Sequence, residues 1–510
     1  MSSAAAMSNS PGFSPPSPRV WITGLGSQYP PHILGTNLLD ALVERFYDVK
    51  DSGLKKLLQI NQASGIETRS MVNAFHSESD FAMQLEPPTI ADIDDEFRKV
   101  GVDLAVGACK KALEEWGGDW KDVTHTIAVT CTNEGHPGYD LLVNQRLGLQ
   151  PSVDRMLLHG VGCAGGLAIL RAAAQIADGA ASRRRPVRVL AYACEVCSLS
   201  VRYELEEAYR TDARDINIAP ALFSDAAAAF VLCNEYGRAV RDKEPLFEVM
   251  EQGYNTIPGT VGELGFYVKP NGYQSVLTKK VPAFTTAAIR PLFDQLLPMI
   301  RERANNPALD IQDFDWALHP GGAAILNRAT ELLGLTDDEL WASWEIYKTR
   351  GNSSSPTVLI VLDRMRERKK GRGKERDYVT AASFGPGLSI EMAMLRVCRV
   401  KRVAENGAEE NSEEDAEEDA EKNAEKNAEK NAEKNAEKNA EKNAEDDTKR
   451  ETEKDAQSLA LSNTGMLSEK ETARRGRKRT RSSSHETKGT TEEDRPPQKK
   501  RGEIRSQTRS

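Results

Sequence analysis

Gly160-Val161-Gly162-Cys163-Ala164-Gly165-Gly166 follows the apolar run Met156-Leu157-Leu158-His159 and leads into Leu167-Ala168-Ile169-Leu170-Arg171-Ala172-Ala173-Ala174-Gln175-Ile176-Ala177. The succession reads as a strand, a tight glycine turn and an Ala/Leu-rich helix, a unit from which α/β folds are built. Cys163 then sits at a helix N-terminus. Exposed N–H groups and the positive end of the helix dipole there favour a thiolate over a thiol, and small neighbours let a substrate carbonyl approach. A lone cysteine in an intracellular chain is more often a buried structural residue. The nucleophile reading therefore depends on what else the chain supplies.

Working outward, similar units recur. Val20-Trp21-Ile22-Thr23-Gly24-Leu25-Gly26 reads as a strand entering a glycine turn, and 37–49 and 53–60 read as helices. Ala105, Ala108, Cys109, Ala112, Leu113 and Trp116 recur at spacings of three and four, which predicts an amphipathic helix. Strand-like runs follow at 126–132, 187–194 and 227–233, with a helix over 139–149. The pattern then starts again: a strand over 247–254, a long helix over 283–304, a short strand over 315–318, helices over 323–333 and 354–367, and two strand-like runs within 378–397. Two successive α/β halves result, 19–240 and 241–400, with reactive groups expected at strand ends where the halves meet.

Composition frames these halves. The 510-residue chain exceeds one ordinary core. Its formal net charge of −9 averages unlike parts and says little about a partner for the folded region. Residues 1–18 are Ser/Pro/Ala-rich, with neither a basic start nor an apolar run, and read as a flexible leader rather than a signal peptide. Residues 401–510 are almost wholly charged and polar, with an Ala-Glu-Lys-Asn repeat and two basic clusters, Arg474-Arg475-Gly476-Arg477-Lys478-Arg479 and Lys499-Lys500-Arg501. That tail reads as disordered or as a lone solvated helix, and its clusters as nuclear-import or nucleic-acid patches or plain solvated charge.

The seven cysteines, 109, 131, 163, 194, 197, 233 and 398, are odd in number and mostly in apolar segments, against a disulfide framework. Cys194 and Cys197 form a C-x-x-C with no second pair nearby, which favours core packing over zinc. No apolar stretch has the length to span a bilayer. A reducing, aqueous, cytoplasmic setting is the expectation, with a nuclear one open through the basic clusters.

His319 follows the strand Asp315-Trp316-Ala317-Leu318 and precedes Pro320-Gly321-Gly322; Asn352 lies in Arg350-Gly351-Asn352-Ser353-Ser354-Ser355-Pro356. A cysteine nucleophile needs a base nearby and donors aimed at the oxyanion of its substrate, and His plus Asn supply both. Singly, each has a plainer reading, a satisfied structural histidine and a helix cap. Their conjunction carries the argument.

Gly162-Cys163-Ala164-Gly165-Gly166, Leu318-His319-Pro320-Gly321-Gly322, Gly351-Asn352-Ser353-Ser354-Ser355 and Ser383-Phe384-Gly385-Pro386-Gly387, in that order, resemble the signature motifs of the type III polyketide synthases, the chalcone and stilbene synthase family. The resemblance covers about residues 20 to 398. It implies a thiolase-type fold of stacked α-β-α-β-α layers built from two similar halves, and a homodimer. It also implies iterative condensation of malonyl units from malonyl-CoA onto an acyl starter delivered as acyl-CoA, with no metal and no cofactor beyond these coenzyme A thioesters. Under the resemblance Cys163 accepts the starter as a thioester, His319 holds it as a thiolate, and His319 and Asn352 bind the malonyl thioester carbonyl as carbon dioxide leaves.

The resemblance also makes Phe223 a gatekeeper between a coenzyme A tunnel and the reaction cavity. Ser275 stands where plant members carry a second gatekeeper phenylalanine, which implies a wider opening. Cys197, Ser200 and Ser354 fall at cavity-lining positions with Glu195 beside them, and Gly385 and Pro386 of the last motif border the substrate. Lys56 matches one cationic residue that meets the coenzyme A phosphates, whereas Gln59 and Ala63 replace other basic ones. His136 takes the place of a methionine that reaches into the partner subunit. Small lining residues imply a fatty acyl starter and a pyrone or alkylresorcinol product, as in fungal members.

Two other readings remain. A ketoacyl synthase using an acyl carrier protein shares the Cys, His and Asn, and is disfavoured by the 383–387 loop and the His-Pro-Gly-Gly sequence; a hydroxymethylglutaryl synthase, which needs a glutamate as acid/base, ranks lower. A nuclear or nucleic-acid-associated factor acting through its tail is disfavoured by the complete reactive turns and the acidic repeat.

Overall fold

A computed structural model describes residues 19–75, 80–209, 211–213, 216–239, 243–368 and 373–399. The flexible leader over 1–18 and the charged tail over 401–510, with its repeat and its two basic clusters, lie outside the described residues. The first half of the chain runs through β1 (Val20–Gln28), β2 (His32–Gly35), α1 (Leu38–Phe46), α2 (Ser52–Ala63), β3 (Thr68–Met71), α3 (Ile90–Trp116), β4 (His125–Val129), α4 (Tyr139–Leu147), β5 (Asp154–Leu158), α5 (Gly165–Ala181), β6 (Arg188–Val196), α6 (Val201–Tyr209) and β7 (Asp225–Asn234). The second runs through β8 (Phe247–Thr256), β9 (Leu264–Lys269), β10 (Gly272–Leu277), α7 (Val281–Ala304), β11 (Phe314–Leu318), α8 (Ala323–Leu333), α9 (Trp341–Arg350), α10 (Thr357–Met365), β12 (Tyr378–Gly385) and β13 (Ser389–Val397).

β7 shows why these strands read as unbroken apolar runs. Ala226, Ala228, Phe230 and Leu232 enter one core, whereas Ala227, Ala229, Val231 and Cys233 enter another. Period-two alternation with both faces buried leaves no polar positions. The strands order as β11-β12-β13-β8-β1-β7-β6-β4-β5, and each half places its parallel pairs at its outer end, β11 with β12 and β4 with β5 and β6. The halves join through a short antiparallel seam, Trp21 opposite Glu248 and Ile22 opposite Phe247.

Five layers follow from which helix covers which face. α3 packs on the outer face of β1, β7 and β6, and α7 on β8 and β13. Between the half-sheets lie α5, in contact with β4, β6, β7, β12 and β13, and α10, in contact with β1, β7, β11 and β12. The result is the α-β-α-β-α stack of a thiolase-type fold.

α3 begins with a capping box, Thr89 and Asp92 each satisfying the other's backbone N–H, and ends at Gly117 with φ +76°. Its buried stripe, Ala105, Ala108, Cys109, Ala112, Leu113 and Trp116, is the one its spacing predicts. One expectation fails beneath it. Gly24 and Gly26 lie inside β1 rather than in a turn, because α3 lies on them so closely that a Cβ at Gly24 would stand 2.0 Å from the Ala112 carbonyl oxygen. The predicted 354–367 helix is also shorter, starting at Thr357, since Ser354 has φ +58°. Sequence periodicity missed α6, α9 and the β9/β10 hairpin.

Candidate active site

β5 delivers the chain to a turn in which Gly160 and Gly162 have φ of +77° and +46°. Cys163 follows in the 3-10 turn Gly162–Ala164, and α5 starts at Gly165. The backbone at Gly162 is left-handed, and a Cβ there would stand 2.6 Å from Pro386 Cδ. A Cβ at Gly385 would reach within 2.4 Å of the Val161 carbonyl oxygen. The glycines of two motifs therefore make room for each other's turns, a role different from the expected opening for a substrate carbonyl.

The other two turns close on the same place. Asn352 forms a parallel bridge with Phe223: its N–H donates to the Leu222 carbonyl (3.1 Å) and its carbonyl accepts from the Ser224 N–H (2.8 Å). Its side-chain Oδ1 accepts from the Ser354 N–H (2.8 Å), and its Nδ2 donates a long bond to the Gly321 carbonyl (3.5 Å), next to the His319 turn. The Cys163 thiol donates to Ser354 Oγ at 3.3 Å. Asn352 thus joins the nucleophile's neighbour to the histidine's turn.

His319 is 2% exposed at the end of β11, and its N–H donates to the Ala382 carbonyl (2.8 Å). Both ring nitrogens are buried and have no hydrogen-bond partner among the described residues. Burial pushes the imidazole down to about 3, and burial pushes the Cys163 thiol up to about 11, against weaker lowering from Ser354 and Asn352. The expected thiolate at a helix N-terminus is thus outweighed by desolvation, and each group alone is held neutral.

A narrow cavity of about 30 Å³ is lined by Cys131, Gly162, Cys163, Cys197, Phe223, Ser275, Ser354 and Pro386, with Leu264, Gly265, Phe266 and Leu277 of the β9/β10 hairpin. Cys163, Phe223, Ser275, Cys197, Ser354 and Pro386 are brought together as the sequence predicts. Asn352 is linked to this wall through Ser354, and its amide reaches the Gly321 carbonyl in the turn that carries His319. Gly385 shapes the neighbouring turn without lining the cavity.

One lining expectation does not hold. Ser200 is buried but lies one 3-10 turn beyond Cys197, about 6 Å along the axis, where its Oγ meets Gly272 instead of the cavity. Lys56, expected at the coenzyme A phosphates and not in this wall, is exposed on α2. The hairpin residues and Cys131 were missed; Cys131, just past the end of β4, has Sγ 3.7 Å from Ser354 Oγ. Its place beyond a parallel strand's C-terminal end was the available signal.

Glu195 accepts from Thr130 Oγ1 (3.1 Å), the Cys131 N–H (3.0 Å), Thr132 Oγ1 (2.8 Å) and Ser355 Oγ (2.5 Å). It is fully buried, and burial raises its carboxyl pKa against these bonds. Cys194, as expected, packs in a core, its thiol on the Gly101 carbonyl (3.2 Å). A larger cleft of about 600 Å³ between β1, α3, α9 and α10 contains none of the reactive groups. Among the described residues no helix is long and apolar enough to cross a membrane.

Cysteine, histidine and asparagine on three interlocked turns over a five-layered α/β body define a condensing enzyme of thiolase architecture. Residues 19–235 match the family model for the chalcone and stilbene synthase N-terminal domain, and 248–399 that for the C-terminal domain. The chain is 57% identical over 396 residues to the type III polyketide synthase pspB of Penicillium soppii, covering 76% of this chain and 98% of that protein. It is 34% identical to the acylalkylpyrone synthase csyB of Aspergillus oryzae, covering 74% and 95%. A crystal structure of a fungal type III polyketide synthase, ORAS, superposes with a TM-score of 0.71 at 38% identity over 74% of this chain and all of that one. CsyB complexed with CoA-SH superposes at 0.69 with 34% identity, again over 74% of this chain and all of that one. The chain belongs to the type III polyketide synthases, the chalcone and stilbene synthase family.

Proposed function

We propose that this enzyme extends a fatty acyl starter from acyl-CoA with malonyl-CoA units and releases a pyrone or alkylresorcinol. The observation that carries the chemistry is the buried imidazole of His319, with two unpartnered nitrogens among the described residues, on a turn that Asn352 and Ser354 tie to the Cys163 thiol through the Gly321 carbonyl. A charge on Cys163 or His319 alone is disfavoured by burial; a proton passed from thiol to imidazole creates two opposite charges that offset each other's desolvation. The resulting thiolate attacks the starter thioester, forming the Cys163 acyl thioester and expelling coenzyme A, which leaves with the proton. Malonyl-CoA then places its thioester carbonyl on His319 and the Asn352 amide. Loss of carbon dioxide leaves an enolate that those donors stabilise. The enolate carbon attacks the acyl carbonyl, a carbon–carbon bond forms, Cys163 leaves as thiolate, and the chain is two carbons longer. No step needs a metal or a further cofactor.

The name of the acylalkylpyrone synthase relative and the coenzyme A complex of CsyB support acyl-CoA as substrate and a pyrone as product. A second copy fits at β5, the outermost strand of the sheet, where Met156 is 45% exposed, and homodimerisation through that edge would bring its neighbour, the exposed His136-Pro137 turn, to the partner. Met156→Asp should then yield monomers in light scattering.

Mass spectrometry of products from malonyl-CoA with short, long and aromatic acyl-CoA starters, alongside Cys163→Ala, tests the reading. Polyketides built best on long-chain starters and absent from the variant support it. A strict preference for aromatic starters sinks the starter assignment, and turnover only with an acyl carrier protein sinks the coenzyme A assignment.

A further inference from the structure

One wall of the cavity is built differently from the others. β9 and β10 form a two-stranded sheet outside the main one, with Ser275 opposite Phe266 and Leu277 opposite Leu264. Register pairing puts these four side chains on one face, and all four line the cavity. Tyr267 and Val268 of β9 are about half exposed. A two-stranded sheet is marginal by itself, so the position of this wall depends on what ties it down.

At its base Phe266 stacks on Tyr273, with ring centroids 4.8 Å apart. Further along, consecutive residues of β10 reach two carboxylates on successive turns of α6: Gln274 Nε2 donates to Glu207 Oε2 (3.2 Å) and Ser275 Oγ to Glu204 Oε1 (2.9 Å). Ser275 and Glu204 are both buried, at 5% and 4% exposure. Ser275 is therefore not a free, small lining residue. Its hydroxyl is engaged across the gap to α6, and the space a small side chain leaves is drawn closed.

The geometry points to Glu204 as a positioning residue that, through Ser275, holds the β9/β10 hairpin against Cys163 and so sets the length of acyl chain the cavity admits. This rests on the acyl-CoA reading of the same site. The cavity's small volume with the tie made means that a long chain enters only as the hairpin yields. Breaking the tie lowers that resistance for long chains and does nothing for an acetyl group, which does not press on the hairpin.

The test pairs Glu204→Leu, which removes the acceptor, with Glu204→Gln, which keeps a carbonyl for Ser275 Oγ, in the full-length chain. Glu204→Leu should raise the ratio of kcat/KM for a long-chain acyl-CoA over acetyl-CoA about five-fold, mostly through KM, and speed amide hydrogen exchange across 264–277. Glu204→Gln should restore both. Ser275→Ala reaches the same tie from the other side and should reproduce both changes if Glu204→Leu does not fold. A wild-type starter ratio with wild-type exchange in a folded Glu204→Leu or Ser275→Ala protein overturns the proposal, as does Glu204→Gln behaving like Glu204→Leu. Faster exchange with an unchanged starter ratio also overturns it, because the tie would then be structural only. Failure of the wild type to condense any acyl-CoA defeats the acyl-CoA reading, and is distinguishable because exchange still reports on the tie.

Discussion

Glu195, near the end of β6, and His319, just past β11, are both buried polar side chains, yet they are treated oppositely. Glu195 receives four different donors, whereas neither ring nitrogen of His319 has a partner among the described residues. An unpaired buried polar group costs about 1–3 kcal/mol, and a fold that satisfies one such group so fully while leaving another unsatisfied reserves the second for something that arrives. Satisfaction suits a group that builds the site, and its absence suits a group kept for a substrate, the role proposed for His319. Glu204, with the single donor Ser275, stands between them.

The contrast breaks first on function. His319→Ala should lower condensation about 1,000-fold while leaving Tm within about 1 °C, since no protein hydrogen bond is lost; a large fall in Tm would show a structural histidine. Glu195→Leu should do the reverse in thermal denaturation, orphaning four donors and losing about 3 kcal/mol or more, read as a Tm lower by about 3–6 °C.

Proton equilibria sharpen the comparison. Because burial, against weaker lowering from Ser354 and Asn352, pushes the Cys163 thiol up to about 11, reaction with iodoacetamide near neutral pH should depend on His319. The pH profile of alkylation should therefore move up by about two units or more in His319→Ala, and an unmoved profile would remove the imidazole from that role. Glu204 gives a stability signature. Burial pushes its carboxyl from 4.5 to about 8, opposed by Ser275 and Arg69. The folded chain holds that proton more tightly than the unfolded one, so the stabilisation is full below pH 4.5 and is lost as pH rises through about 8. Tm should fall across that window, and Glu204→Gln should flatten the fall. The smallest effect is expected at the exposed Lys56, where Lys56→Ala should raise KM for acyl-CoA by less than about three-fold.

Much of this was legible in the sequence because strands buried on both faces and helices with one buried stripe leave strong periodic signals. The four glycine-bearing turns declared their residues, and the structure brings most of them to one cavity. What escaped depends on contacts between distant segments. Gly24 looks like a turn because nothing local shows that α3 lies on it. Ser200 looks like Cys197's companion until the hairpin covers it, and Ser275 looks like an opening until Glu204 takes its hydroxyl. The neutral states of Cys163 and His319 arise from burial, which no stretch of residues around either one displays.

The bridge between Phe223 and Asn352 has a practical consequence for anyone reshaping the products. The Asn352 backbone is hydrogen-bonded to the residues on either side of Phe223, so the proposed gate and the proposed amide donor form one mechanical part. Substitutions that resize the cavity at Phe223 will carry into the alignment of Asn352 and tax the rate. Redesign that begins at the hairpin, which shares no such bond with Asn352, separates the choice of molecule from the speed of making it.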